Sequence, residues 1–132
     1  MKPIKQQHET GCGIAAIAMI AGVSYQKALE ITHPNYLRRK QQFINWKQLR
    51  NSLDKFGIKY DKLHRFRGKL KEIVAHAKLS KSQFIVGSAE KTRQKNWHYL
   101  VIDKDGKVYD PFYGREVLPE AYPVVRSFLR II

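Results

Sequence analysis

Cys12 is the only cysteine in 132 residues, and it stands between Gly11 and Gly13 at the mouth of an apolar run, Ile14 to Ile20. A helix beginning there would aim unpaired backbone N–H groups and a partial positive charge at the sulfur. Both favour the thiolate, which is the reactive form. Gln6 lies six residues upstream with an amide that can donate a hydrogen bond. His98 comes far downstream beside Tyr99, and Asp110 precedes Pro111. Together these residues supply a nucleophile (Cys12), a base (His98), a group to hold the imidazole (Asp110), and a donor for a developing oxyanion (Gln6). In such chemistry His98 shares a proton with Cys12 and later protonates a leaving amine. Gln6 acts beside the backbone N–H of Cys12. Taken singly, each has a plainer reading. A lone cysteine is often a buried, inert core residue, and an aspartate before proline is a common turn residue. The conjunction in chain order is what points to catalysis.

Placing these residues requires helices first and strands afterwards. Gly13 to Ala21 reads as a helix, and Ser24 caps a second one running to Ile31. His33-Pro34-Asn35 ends it. Asn45 caps a helix from Trp46 to Phe56, with Trp46, Leu49, Leu53 and Phe56 on one stripe and Gly57 as its stop. Ile58 to Leu63 alternates as a half-buried strand does, and Gly68 to Leu79 returns to helix. Phe84 to Gly87 and Trp97 to Ile102 are strands. Asp105-Gly106 turns the second of these into Lys107-Val108-Tyr109. A turn centred on that dipeptide pairs residues whose numbers sum to about 211, which sets His98 near position 113 and within reach of Asp110. Val117 and the tail from Val124 to Leu129 add a last strand or cap the sheet. The expectation is a single α+β domain over residues 1–132, with the nucleophile at a helix N-terminus packed on an antiparallel sheet.

Composition narrows the function classes. Lys and Arg number 25 against 11 acids, a net charge of +14. From His33 to Lys71 there are twelve Lys or Arg and two acids, Asp54 and Asp61. Such a field suits nucleic acid, anionic lipid or an acidic peptide, and equally a solvated face, with the triplet Arg38-Arg39-Lys40 adding little by itself. One cysteine forms no internal disulfide. Scattered histidines give no metal-ligand spacing, and no cofactor is expected. The N-terminus lacks an apolar signal core, and Ile14 to Val23 is too short to span a bilayer, so the expected location is cytoplasmic.

The pattern Gln6-x5-Cys12-Gly13-x-Ala15-Ala16-x-Ala18-Met19-Ile20, then His98-Tyr99-x-Val101, then Asp110-Pro111-x-x-Gly114, resembles the C39 peptidases. These are papain-like cysteine proteases found as N-terminal domains of bacteriocin-exporting ABC transporters. The resemblance implies a papain-like fold, with Cys12 as nucleophile, His98 as general base, Asp110 as orienting residue and Gln6 as oxyanion donor. It also implies cleavage after a double-glycine site that removes a leader from a secreted peptide. Such leaders are typically acidic amphipathic helices, which the basic surface here would suit, and a transporter is the partner implied. With no transmembrane or nucleotide-binding segment following, the chain reads as a freestanding form. Gly11 departs from the family, which often has an acidic residue before the cysteine.

Other classes remain open on the sequence. One is an inactive protease-like module that grips acidic peptides. Another is a basic nucleic-acid-binding protein, since Tyr36, Phe43, Trp46, Tyr60 and Phe66 interleave with the cations, although Trp46 and Phe56 fall on the core stripe. A third keeps the Cys–His chemistry but hydrolyses a non-peptide amide or transfers an acyl group.

Overall fold

The structure, a computed structural model, describes residues 1–33, 44–89 and 97–132. Four helices are present among them: α1 (Cys12–Ala21), α2 (Tyr25–Thr32), α3 (Trp46–Lys55) and α4 (Leu70–Ser80). Six strands, β1 (His64–Gly68), β2 (Phe84–Ala89), β3 (His98–Ile102), β4 (Val108–Asp110), β5 (Arg115–Val117) and β6 (Val124–Arg130), form one antiparallel sheet in the order β1-β6-β2-β3-β4-β5. A 3-10 turn, Pro119–Ala121, leads into β6.

The middle strands of the sheet are buried on both faces, and their residues alternate between two cores. Tyr99 and Val101 of β3, Ile85 of β2 and Leu129 of β6 face a core built from α1, α2 and α3. Leu100 and Ile102, with Phe84, Val86 and Val125, face α4 and Tyr122. The α1 helix is apolar all round because it is the innermost helix. Its small residues Ala15, Ala16 and Ala18 are fully buried and let the backbone approach its neighbours closely.

Local chemistry accounts for the helix ends. The Ser24 side chain accepts from Lys27 N–H at 3.1 Å, opening α2 one residue after its cap. Asn45 and Gln48 form a reciprocal capping box at the start of α3, with bonds of 2.8 and 2.9 Å. Gly57, at φ 70°, follows that helix in the left-handed conformation.

Two expectations need correction. Ile58 to Leu63 is not a strand, apart from one isolated bridge, Tyr60 to Ile131. The paired segment is His64–Gly68, where the chain reaches an edge of β6. The β3–β4 register sums to 210 rather than 211, with Val101 opposite Tyr109 and Ile102 opposite Val108. The loop is Lys104-Asp105-Gly106, closed by Gly106 N–H to Asp103 C=O at 3.0 Å and Asp103 N–H to Lys107 C=O at 2.9 Å. Gly106 takes the left-handed position at φ 82°, so the turn centre falls on Asp105. Asp103 holds this turn by accepting from the N–H groups of Asp105 and Lys107, both at 2.9 Å. The triplet Arg38-Arg39-Lys40, the Pro34-Asn35 break, and Tyr36 and Phe43 lie outside the described residues.

Candidate active site

Cys12 opens α1, as its glycine flanks suggest. Gly11 precedes the helix with no side-chain cap, and no acidic residue sits in the first turn to neutralise the helix end. Both glycines are required by space. A Cβ on Gly11 would collide with the Tyr25 hydroxyl, and one on Gly13 would come within 2.8 Å of the Ile44 Cδ1 and 3.1 Å of the Tyr99 ring. The Tyr25 hydroxyl lies 2.8 Å from His8 Nδ1.

The sulfur is buried, and the backbone N–H of Tyr99 points at it from 3.5 Å. That contact sets Cys12 against β3, one residue after His98. The thiol is nevertheless not activated by its position alone. Burial pushes it above its ordinary value. The N–H groups of Tyr99, Gly13 and Cys12 itself pull it down, and the negative charge of Asp110 adds to the rise. The helix-end donors anticipated from sequence are present, but desolvation outweighs them.

His98 and Asp110 are brought together. His98 Nε2 lies 3.0 Å from both carboxylate oxygens of Asp110. Asp110 is fully buried at the end of β4, and each oxygen has a second donor. Phe112 N–H donates to Oδ1 at 2.9 Å, and the Tyr122 hydroxyl donates to Oδ2. Burial pushes this carboxyl up. The hydrogen bond and charge of His98, with the donors from Tyr122 and Phe112, more than reverse that and hold it below the ordinary carboxylate range. The turn after Asp110 is closed by Tyr113 and Gly114 N–H groups donating to the Asp110 carbonyl, with Gly114 at φ 69°.

Gln6 is tied to the same region by its backbone, whose N–H donates to Pro111 C=O at 2.8 Å. Its side-chain amide donates to His8 C=O at 3.0 Å and Glu9 C=O at 2.8 Å. Those bonds shape the loop entering α1. The His8 carbonyl also accepts from Gly11 N–H at 3.0 Å.

Tyr122 is the site residue that sequence reasoning missed. It is almost fully buried, its ring lies edge-on to His98 with centroids 6.3 Å apart, and it bonds the carboxylate directly. Its one sequence signal was an aromatic residue framed by Pro119 and Pro123, which reads as a loop. Among the described residues, no group of three or more His, Cys, Asp or Glu is arranged to hold a metal ion. No single described helix is long and apolar enough to cross a membrane.

Comparison with curated proteins returns no match. A sequence model of the Peptidase C39 family matches residues 1–119, which takes in α1, the His98–Asp110 pair and five of the six strands. A cysteine opening a buried helix, a histidine–aspartate pair on adjacent strands and a family match over nine-tenths of the sequence lead to one assignment: the chain belongs to the C39 family of cysteine peptidases.

Proposed function

We propose that this chain hydrolyses peptide bonds with Cys12 as nucleophile, His98 as general base and acid, Asp110 as the group that orients His98, and Gln6 as oxyanion donor. The observation that carries this reading is the His98–Asp110 pair, its carboxylate fully buried and both of its oxygens 3.0 Å from His98 Nε2, with His98 on the strand whose backbone touches the Cys12 sulfur. Asp110 engages Nε2, so Nδ1 is the nitrogen that takes the thiol proton. As Sγ bonds to the substrate carbonyl carbon, its proton passes to Nδ1 and the carbonyl oxygen becomes an oxyanion. Collapse of that adduct breaks the C–N bond, and the imidazolium proton leaves with the amine. Water, deprotonated by His98, then attacks the thioester and releases the acid.

Gln6 reaches the oxyanion by giving up one of its loop carbonyls. His8 C=O is the one that keeps a donor when released, because Gly11 N–H still bonds it. The family resemblance supports cleavage after a double glycine, with the leader of a secreted peptide as substrate and a transporter as the implied partner.

The test is cleavage of a double-glycine peptide, read by mass spectrometry, in variants that keep the fold. Cys12→Ala is expected to abolish cleavage. His98→Ala should lower the rate by roughly a thousandfold or more, and Asp110→Ala by less, since orientation is partly recoverable. Equal rates in all three would sink the mechanism.

A further inference from the structure

His8 has no part in the mechanism above, yet it meets α2 where that helix touches the loop entering α1. Its Nδ1 lies 2.8 Å from the Tyr25 hydroxyl, and the two rings have centroids 5.7 Å apart. Tyr25 is the first residue of α2 and is almost wholly buried. That helix is held independently of the loop, by the Ser24 cap and by Ala28 and Leu29 in the core. The Tyr25 oxygen is therefore a fixed point for the loop.

The loop closes on this oxygen from several sides. The backbone N–H groups of Gln7 and His8 face it as hydrogen-bond donors. Gly11 passes it so closely that a Cβ there would collide. Burial outweighs those donors and pushes the phenol up to about 12, so it keeps its proton at neutral pH. With N–H groups already turned to its oxygen, the phenol directs its own O–H to His8 Nδ1. That nitrogen is then the acceptor of the imidazole, and the ring proton sits on Nε2. The carbonyl of the same residue accepts from Gly11 N–H and from the Gln6 amide, both at 3.0 Å. His8 thus joins Tyr25 to the side chain of Gln6 and to the residue before Cys12.

We propose that His8 is a positioning residue, which by accepting from the Tyr25 hydroxyl sets the place of the Gln6 carboxamide relative to Cys12; this rests on the peptidase reading with Gln6 as oxyanion donor. When Gln6 turns from the His8 carbonyl to the oxyanion, Tyr25 and Gly11 still hold His8, so the carboxamide pivots on a fixed base. A donor to an oxyanion acts over a narrow range of distance, and a displacement of about 1 Å can cost about a hundredfold in rate. Gln6 N–H is bonded to Pro111 C=O at 2.8 Å without help from His8. Loss of the His8–Tyr25 bond is therefore expected to misplace the side chain and leave the strand ends attached. The oxyanion exists only beyond the ground state, so the loss falls on kcat and spares KM.

The test measures kcat and KM on a double-glycine peptide, with Tm alongside, for the unaltered chain, His8→Leu, His8→Asn, Gln6→Ala and Gln6→Ala/His8→Leu. Gln6→Ala is expected to lower kcat about a hundredfold. His8→Leu should lower it about tenfold with KM unchanged. His8→Asn should restore most of that, because its Oδ1 can accept the same phenolic proton. On the Gln6→Ala background His8→Leu should cost nothing further, since no carboxamide is left to place. Wild-type kcat in His8→Leu overturns the proposal and leaves Gln6 as donor. So does an equal loss in His8→Asn, or a loss that persists in full without Gln6, since either would make His8 a packing residue. A silent Gln6→Ala removes the oxyanion reading itself, and absence of cleavage by the unaltered chain removes the peptidase reading; each takes the role of His8 with it.

Discussion

At the scale of single residues, the site is built around one buried carboxylate. Asp110 has four close hydrogen-bond contacts, two of them to His98, and its folded value lies below the ordinary one. A carboxyl of that kind stabilises the fold above its unfolded value and loses its contribution as the pH falls through the folded one. Removing the Tyr122 hydroxyl takes away one of the donors that hold it down. Tyr122→Phe is expected to cost about 2 kcal/mol of stability, and to move the acid limb of both stability and kcat/KM to higher pH. A Tm series from neutral to acid pH, set beside the pH–rate profile, checks this; a lowered Tm with an unmoved rate profile would confine Tyr122 to packing. Cys12 gives a second prediction. Burial lifts the thiol, so alkylation by iodoacetamide should be slow at neutral pH and rise only above about pH 9. Fast alkylation at pH 6 would mean a preformed ion pair with His98 that outweighs desolvation. The approach of His98 to Asp110 and the place of Cys12 at a helix start were legible in the sequence, because a tight turn and a pair of glycines suffice to place them. The state of the thiol was not, since helix-end donors are visible in a sequence and desolvation is not.

At the scale of elements, what matters is how closely α1 can approach its neighbours. Gly11 is where the loop passes the Tyr25 hydroxyl of α2. Gly11→Ala should destabilise the fold and slow cleavage, because α2 must shift or Cys12 must move. Tyr25→Phe removes the clashing atom, so the double variant Gly11→Ala/Tyr25→Phe is expected to recover most of the lost stability. A double-mutant cycle on Tm measures that coupling, of about 1 to 3 kcal/mol; purely additive losses would refute it. The helices were readable because their caps are local: Ser24, Asn45 and Gly57 act within a turn of where they stand. The strand at His64–Gly68 was not readable, because its pairing is decided by β6, some sixty residues later. Ile58 to Leu63 has the alternation without the partner. The one-residue register error arose similarly, from a three-residue loop with a left-handed Gly106 where the dipeptide suggested a two-residue turn.

At the scale of the whole molecule, the sheet is completed from its middle. β6 lies between β1 and β2, and its Val125 and Leu129 are fully buried in the cores on opposite faces. The family match stops at residue 119, yet a chain ending there lacks Tyr122 and this central strand. Deletion of residues 120–132 is therefore expected to abolish cooperative unfolding by circular dichroism and all cleavage, although every residue of the proposed Cys12–His98–Asp110 set is retained. A folded, active fragment would show that β1 can pair with β2 directly.

The position of β6 also sets a clock. During synthesis α1, with Cys12, emerges before the His98 hairpin, but the gap beside β2 stays open until residue 130 has left the ribosome. Until then Asp110 lacks Tyr122, and the two faces of the sheet lack Val125 and Leu129. A nascent chain of this protein therefore carries the proposed catalytic residues in an unassembled form until residue 130 has been added.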